Sequence, residues 1–127
     1  MAKILLGASE DDLYIAYAPL VDSLRDAGYD ISETNEADDV IKAMIKRSVD
    51  FVIVQGPMRW GSLGKERTCV GRVSGYVAVQ KARERGSTIP TIFLETAWRP
   101  PPVENVMVRR MPILPSELLE AVREMLG

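Results

Sequence analysis

Three short runs, Ile4–Leu6, Phe51–Val54 and Thr91–Leu94, are almost wholly apolar. A strand covered on both faces has this signature, because neither of its alternating side-chain directions meets water. Two weaker runs, Tyr29–Ser32 and Asn105–Val108, carry polar residues, as edge strands of the same sheet would. Between the runs the apolar spacing changes to a helical one. Over Asp38–Arg47 it sets Val40, Ile41, Met44 and Ile45 on one face and Lys42, Lys46 and Arg47 on the other. From Ser116 onward it groups Leu118, Leu119, Val122 and Leu126, with Ser116 as N-cap behind Pro115. Leu20, Val21 and Leu24 form the stripe of a first helix that begins or kinks near Pro19 and stops at Ala27-Gly28. The segments from Gly56 to Arg72 and from Trp98 to Glu104, the latter with Pro100-Pro101-Pro102, follow neither period and are expected to be irregular.

Strands alternating with helices across connections of this length imply parallel pairing through right-handed crossovers. The fold predicted is therefore α/β, a flavodoxin-like doubly wound five-stranded parallel sheet of order 2-1-3-4-5, with a long loop after the third strand and a reduced fourth helix. Ligand chemistry in such sheets sits beyond the carboxyl ends of the strands, near the switch point between the first and third. That places Ala8–Asp12, Gln55–Pro57, Glu95–Ala97 and Arg109–Pro112 at the expected functional edge.

At 127 residues the chain fits a single domain, 1–127. A formal net charge of −2 gives no general attraction to nucleic acid or to anionic lipid. The apolar runs fall far short of the ~20 residues that span a bilayer, and the start shows no signal-peptide pattern, so the expected location is cytoplasmic. One cysteine, Cys69, excludes an internal disulfide, and the absence of histidine removes the usual zinc and haem ligands and the commonest general base.

The runs Lys3–Leu6, Val49–Val54 and Ile89–Leu94, with Ala27-Gly28-Tyr29 before the second strand and Met111-Pro112 before the last helix, resemble the receiver domain of two-component response regulators over nearly the whole chain. The distance from Gly28 to Gln55 matches the family's distance from that glycine to its phospho-acceptor. The resemblance implies an acidic pair after the first strand to hold magnesium, a phospho-accepting aspartate, a hydroxyl after the fourth strand and a lysine after the fifth. Here the acceptor position is Gln55, the lysine position Met111 with Arg110 beside it, and the hydroxyl position Glu95 or Thr96. A gapless alignment gives Ala8-Ser9 for the acidic pair, whereas an insertion brings in Glu10, Asp11 or Asp12. An amide is not an anionic nucleophile and forms no acyl phosphate. The expectation is a stand-alone, non-enzymatic pseudo-receiver without a cofactor, acting on a protein partner or on itself as a homodimer. Magnesium at Glu10–Asp12 is the one cofactor site left open.

Several features have two readings. Gly61–Lys65 suggests a phosphate loop, but the Walker pattern needs a glycine at Arg59 and a hydroxyl at Glu66. Arg59, Lys65, Arg67 and Arg72, with Trp60 among them, form either an anion- or protein-docking surface or a solvated loop. Trp98 and Arg99 ahead of the prolines form either a stiff recognition edge or a cap on the sheet. Glu10, Asp11 and Asp12 either bind a cation or complement a helix dipole. Cys69 beside Arg67 and Arg72 is a reactive thiol or an incidental one, and the tyrosines are expected to pack. Two further readings stand beside the leading one. Ala8–Asp11 and the phrase from Pro19 to Gly28 are similar to bacterial Toll/interleukin-receptor-like domains, a nucleotide-processing class in which Glu95 would be the nearest catalytic candidate. The third is a receiver-like accessory domain of a larger protein, similar to the wing domains of some decarboxylases.

Overall fold

A computed structural model describes residues 2–9, 17–55, 57–59, 72–95 and 105–126. In chain order the elements are β1 (Lys3–Gly7), α1 (Ala18–Asp26), β2 (Asp30–Thr34), α2 (Ala37–Lys46), β3 (Phe51–Gln55), β4 (Pro57–Arg59), β5 (Arg72–Ser74), α3 (Gly75–Glu84), β6 (Thr91–Glu95), β7 (Val106–Arg110) and α4 (Pro115–Leu126). Five strands form one parallel sheet in the order β2-β1-β3-β6-β7, as the alternation of periods predicts.

Strand alternation divides the core into two layers. Ile4, Leu6, Phe51, Ile53, Ile92 and Leu94 face α1 and α4, where Leu20, Leu24, Leu118 and Val122 meet them. Leu5, Val52, Val54 and Phe93 face α2 and α3, where Val40, Ile41, Met44 and Val79 meet them. Both faces of the central strands are therefore dry, which explains their uninterrupted apolar runs. The turn after α1 follows from backbone hydrogen bonding. The Gly28 N–H donates to the Arg25 carbonyl at 2.9 Å and the Tyr29 N–H to the Leu24 carbonyl at 3.2 Å, a Schellman closure that needs the left-handed φ of +96° at Gly28. Among the described residues no helix is long and apolar enough to cross a membrane.

Several expectations are corrected. β4 lies within the segment expected to be irregular and pairs antiparallel with β5, which starts at that segment's last residue, Arg72, and strands of three residues are too short to show a period. β2 and β7 begin one residue later and end two residues later than predicted. Ile45 is 38% exposed, because the buried stripe of α2 runs through Ala37, Val40, Ile41 and Met44 and leaves Ile45 on its flank. α4 starts at Pro115 rather than behind a Ser116 cap. Proline suits the first helical position, and the preceding Leu114 N–H donates to Glu117 Oε1 at 3.0 Å. The pattern delimits no helix over 75–84, where alanines dilute the apolar stripe, yet α3 forms there. The fourth-helix region, 96–104, lies outside the described residues.

Two predictions test this packing. At Gly28 no atom lies within 4 Å of an added Cβ, so Gly28→Ala costs only the left-handed backbone, about 1 kcal/mol in chemical denaturation. Tyr76 is buried against Phe93, with ring centroids 5.5 Å apart, and this desolvation raises its phenol pKa above the ordinary 10.0. Its contribution to stability is complete below pH 10.0 and is lost as the pH rises through its folded-state value. Tyr76→Phe removes that alkaline loss in thermal melts compared across pH.

Candidate functional site

β1, β3 and β7 bring Ala8, Gln55 and Met111 to the carboxyl edge of the sheet. Phe51 and Ile53 face the α1/α4 layer, so alternation turns Gln55, two residues on, to the same side. Ala8 faces that layer from β1 at 0% exposure, Tyr17 at 1%, and the half-buried Met111 packs against it. Gln55 is 5% exposed, and among the described residues its Oε1 has no hydrogen-bond partner. A buried acceptor left unpaired costs about 1–3 kcal/mol, so this amide is set in an environment that does not satisfy it.

Among the described residues the surrounding donor set is weak. Ala8 offers a methyl group, Ser9 a hydroxyl, Gln55 a neutral amide and Met111 a thioether. Among the described residues no group of three His, Cys, Asp or Glu gathers as a metal site would require. Arg110 shares the α2/α3 side of β7 with Val106 and Val108, so alternation points it away from Gln55 and it supplies no cation there. Arg109 lies on the Gln55 side, but its Nη1 donates to the Val108 carbonyl at 3.0 Å. The Met111–Pro112 peptide bond is cis.

Of the other predicted residues, Glu95 ends β6 with its backbone in register with Arg110. Thr96, Glu10, Asp11, Asp12, Trp60, Lys65, Arg67, Cys69, Trp98 and Arg99 lie outside the described residues. Arg59 and Arg72 are brought together as register partners across the β4/β5 hairpin, a juxtaposition that a loop reading does not foresee. The sequence pattern also misses Asp38, 2% exposed in the first turn of α2, with Lys42 Nζ 3.8 Å from its Oδ2. An acid in a first helical turn normally marks an exposed dipole partner, and that convention conceals its burial. Tyr17 and Tyr76 pack, as expected.

No protein-family model and no curated protein matches the sequence. Solved structures do match. The receiver domain of the sensor histidine kinase PA1611 from Pseudomonas aeruginosa, solved with magnesium in its active-site cleft, superposes with a TM-score of 0.73 at 15% identity, covering 99% of this chain and 98% of that one. A response regulator receiver protein from Sinorhizobium medicae gives 0.71 at 21% identity, covering 98% and 94%. A CheY-like receiver domain from Methanospirillum hungatei gives 0.71 at 15%, covering 99% and 94%. The chain has the receiver fold. At these identities the likeness is one of architecture, and the residues at the carboxyl edge carry the functional argument.

Because the Gln55 carbonyl is unpaired, the similarly sized, apolar Gln55→Met is expected to match or exceed wild-type stability, whereas loss of a satisfied amide would cost about 1 kcal/mol. Gln55→Asp buries a carboxylate with no cation described beside it. It should be destabilised at neutral pH and recover as acid neutralises the group, since burial raises a carboxyl pKa. Denaturation midpoints at neutral and acid pH for both variants check this.

Proposed function

We propose that this chain is a receiver-like signalling module that works through protein contacts without aspartyl phosphorylation and without enzymatic turnover of its own. The observation that carries this reading is Gln55, a buried neutral amide with no described partner for its carbonyl, in the position that the resemblance to receiver domains assigns to the phospho-acceptor. Phosphoryl transfer to a side chain needs an anionic nucleophile. It also needs compensation for the charge on the transferred group, by a metal ion or fixed cations.

The donor set among the described residues does not suit magnesium, which takes hard oxygen ligands and pairs with carboxylates. A thioether and a methyl group offer it nothing, and no step is derived through the ion. With Met111 in the lysine position and Arg110 turned to the other face of the sheet, neither supplies a cation to a phosphoryl group at position 55. The acceptor and the lysine positions are altered together, which supports loss of the chemistry rather than loss of the acceptor alone.

Incubation with acetyl phosphate and magnesium, followed by intact-mass measurement, tests this. Neither the wild-type chain nor Gln55→Asp is expected to gain a phosphoryl group. A stable aspartyl phosphate on the wild type would sink the proposal. Labelling of the variant alone would mean that only the acceptor has been lost.

A further inference from the structure

β2 is an edge strand whose outer rim is only partly closed. The Asp30 N–H donates to the Ala2 carbonyl at 3.0 Å and the Ala8 N–H to the Thr34 carbonyl at 3.1 Å, which fixes the phase of the ladder. In a parallel pair, alternate residues turn both backbone groups toward one neighbour. Asp30, Ser32 and Thr34 therefore face β1, while Ile31 and Glu33 face outward. The Ile31 carbonyl accepts from Arg25 Nη2 at 3.3 Å, and the same guanidinium lies 3.9 Å from Glu33 Oε1. Among the described residues nothing bonds to the Ile31 N–H or to the N–H and carbonyl of Glu33.

Beside this rim, between the β2 face and α2, lies a groove of about 390 Å³. Leu5, Ala43 and Val49 give it an apolar lining, and Asp30 and Asp39 set two carboxylates against one ammonium, Lys3, while the Glu33 side chain turns to the α1 face, where it meets Arg25. We propose that the β2 edge accepts an added strand from a protein partner, an extended segment with lysine or arginine at alternate positions. The rim supplies main-chain hydrogen bonds, as in other edge-strand recognition. The groove suits the long basic side chains, whose aliphatic stems lie on apolar surface while their charged heads reach carboxylates. A second copy of this chain fits poorly, because its own β2 edge carries Asp30 and Glu33 and no lysine or arginine to meet the carboxylates of the groove. Arg25 then acts as a displaceable cover, since its contact with Glu33 is an exposed one, with side chains 52% and 35% accessible. This surface is separate from Gln55 and stands whether or not Gln55 takes part in phosphoryl transfer.

The test uses a fluorescent peptide in which lysine alternates with threonine, and a second in which glutamate replaces lysine. The lysine peptide should bind saturably and more weakly as salt rises, and the glutamate peptide should not bind. In the wild-type chain, bound lysine peptide should slow amide exchange at Ile31 and Glu33 but not at Ser32 and Thr34, whose amides already bond to β1. Glu33→Pro removes an outward N–H at a position where an edge strand tolerates proline, and should weaken binding about tenfold. Binding without slowed exchange at Ile31 and Glu33 would reduce the effect to charge attraction and overturn the proposal. So would equal binding of the glutamate peptide, or slowed exchange that grows with protein concentration and needs no peptide, which would assign the edge to a second copy.

Discussion

β3 is flanked by β1 and β6 and covered on both faces, and all five of its residues, Phe51 to Gln55, are buried. A strand in that position has no direction in which a polar side chain can reach water. Its first four residues accordingly fill the two core layers, Phe51 and Ile53 on one side, Val52 and Val54 on the other. The fifth is the exception. Whatever stands at position 55 is held in the interior by the four before it, so a charged residue there has to be compensated by its neighbours. The described neighbours Ala8 and Met111 are apolar and Ser9 is neutral, and a neutral amide at position 55 is consistent with them. Gln55 and its described surroundings form one arrangement: with Ala8 and Met111 nearby, a carboxylate would be costly, and with an amide in place, position 55 offers a cation no charge to pair with.

The same constraint explains which parts of the molecule were legible in the sequence. Burial on both faces writes itself into the chain as apolar runs, so the central strands, the two-layer core and the sheet order could be inferred from Ile4–Leu6, Phe51–Val54 and Thr91–Leu94. The Ala27-Gly28 stop was equally readable, since its turn requires a left-handed residue. Periodicity fails where an element is too short or a position lies on the flank of a stripe. β4 and β5, with three residues each, offer no repeat. Ile45 satisfies the helical pattern as well as Met44 does, and only the direction of approach of the sheet separates them. Asp38 was concealed because its place in a first helical turn has an ordinary electrostatic explanation. Position 55 was found by its distance from Gly28, but its unpaired carbonyl belongs to three-dimensional packing and leaves no trace in the sequence.

The edges of the sheet obey a different rule. Where β3 is closed on every side, β2 has one free side, and its alternation of outward and inward residues decides what is exposed. Asp30, Ser32 and Thr34 use their backbone groups on β1, so the outer rim consists of Ile31 and Glu33, and Arg25 from α1 reaches over one of their carbonyls. Charged residues on an edge strand discourage indiscriminate pairing. The carboxylates along the groove do so selectively, since they repel another acidic edge and attract a basic one.

On the proposed reading, a signalling module without aspartyl phosphorylation lacks the covalent means of shifting between two states, and this changes what its contacts can report. A ligand shifts an equilibrium only by its differential affinity for the states present. Without an acyl phosphate to favour one form, occupancy at β2 is set by the concentration of the partner and by ionic strength, through the charges along the groove. The two proposals thus fit one behaviour: a carboxyl edge that does not switch, and a charged edge strand whose binding is graded. On that account regulation lies with the partner, through its abundance or through modification of its basic residues, because neutralising a lysine removes the charge that the carboxylates recognise.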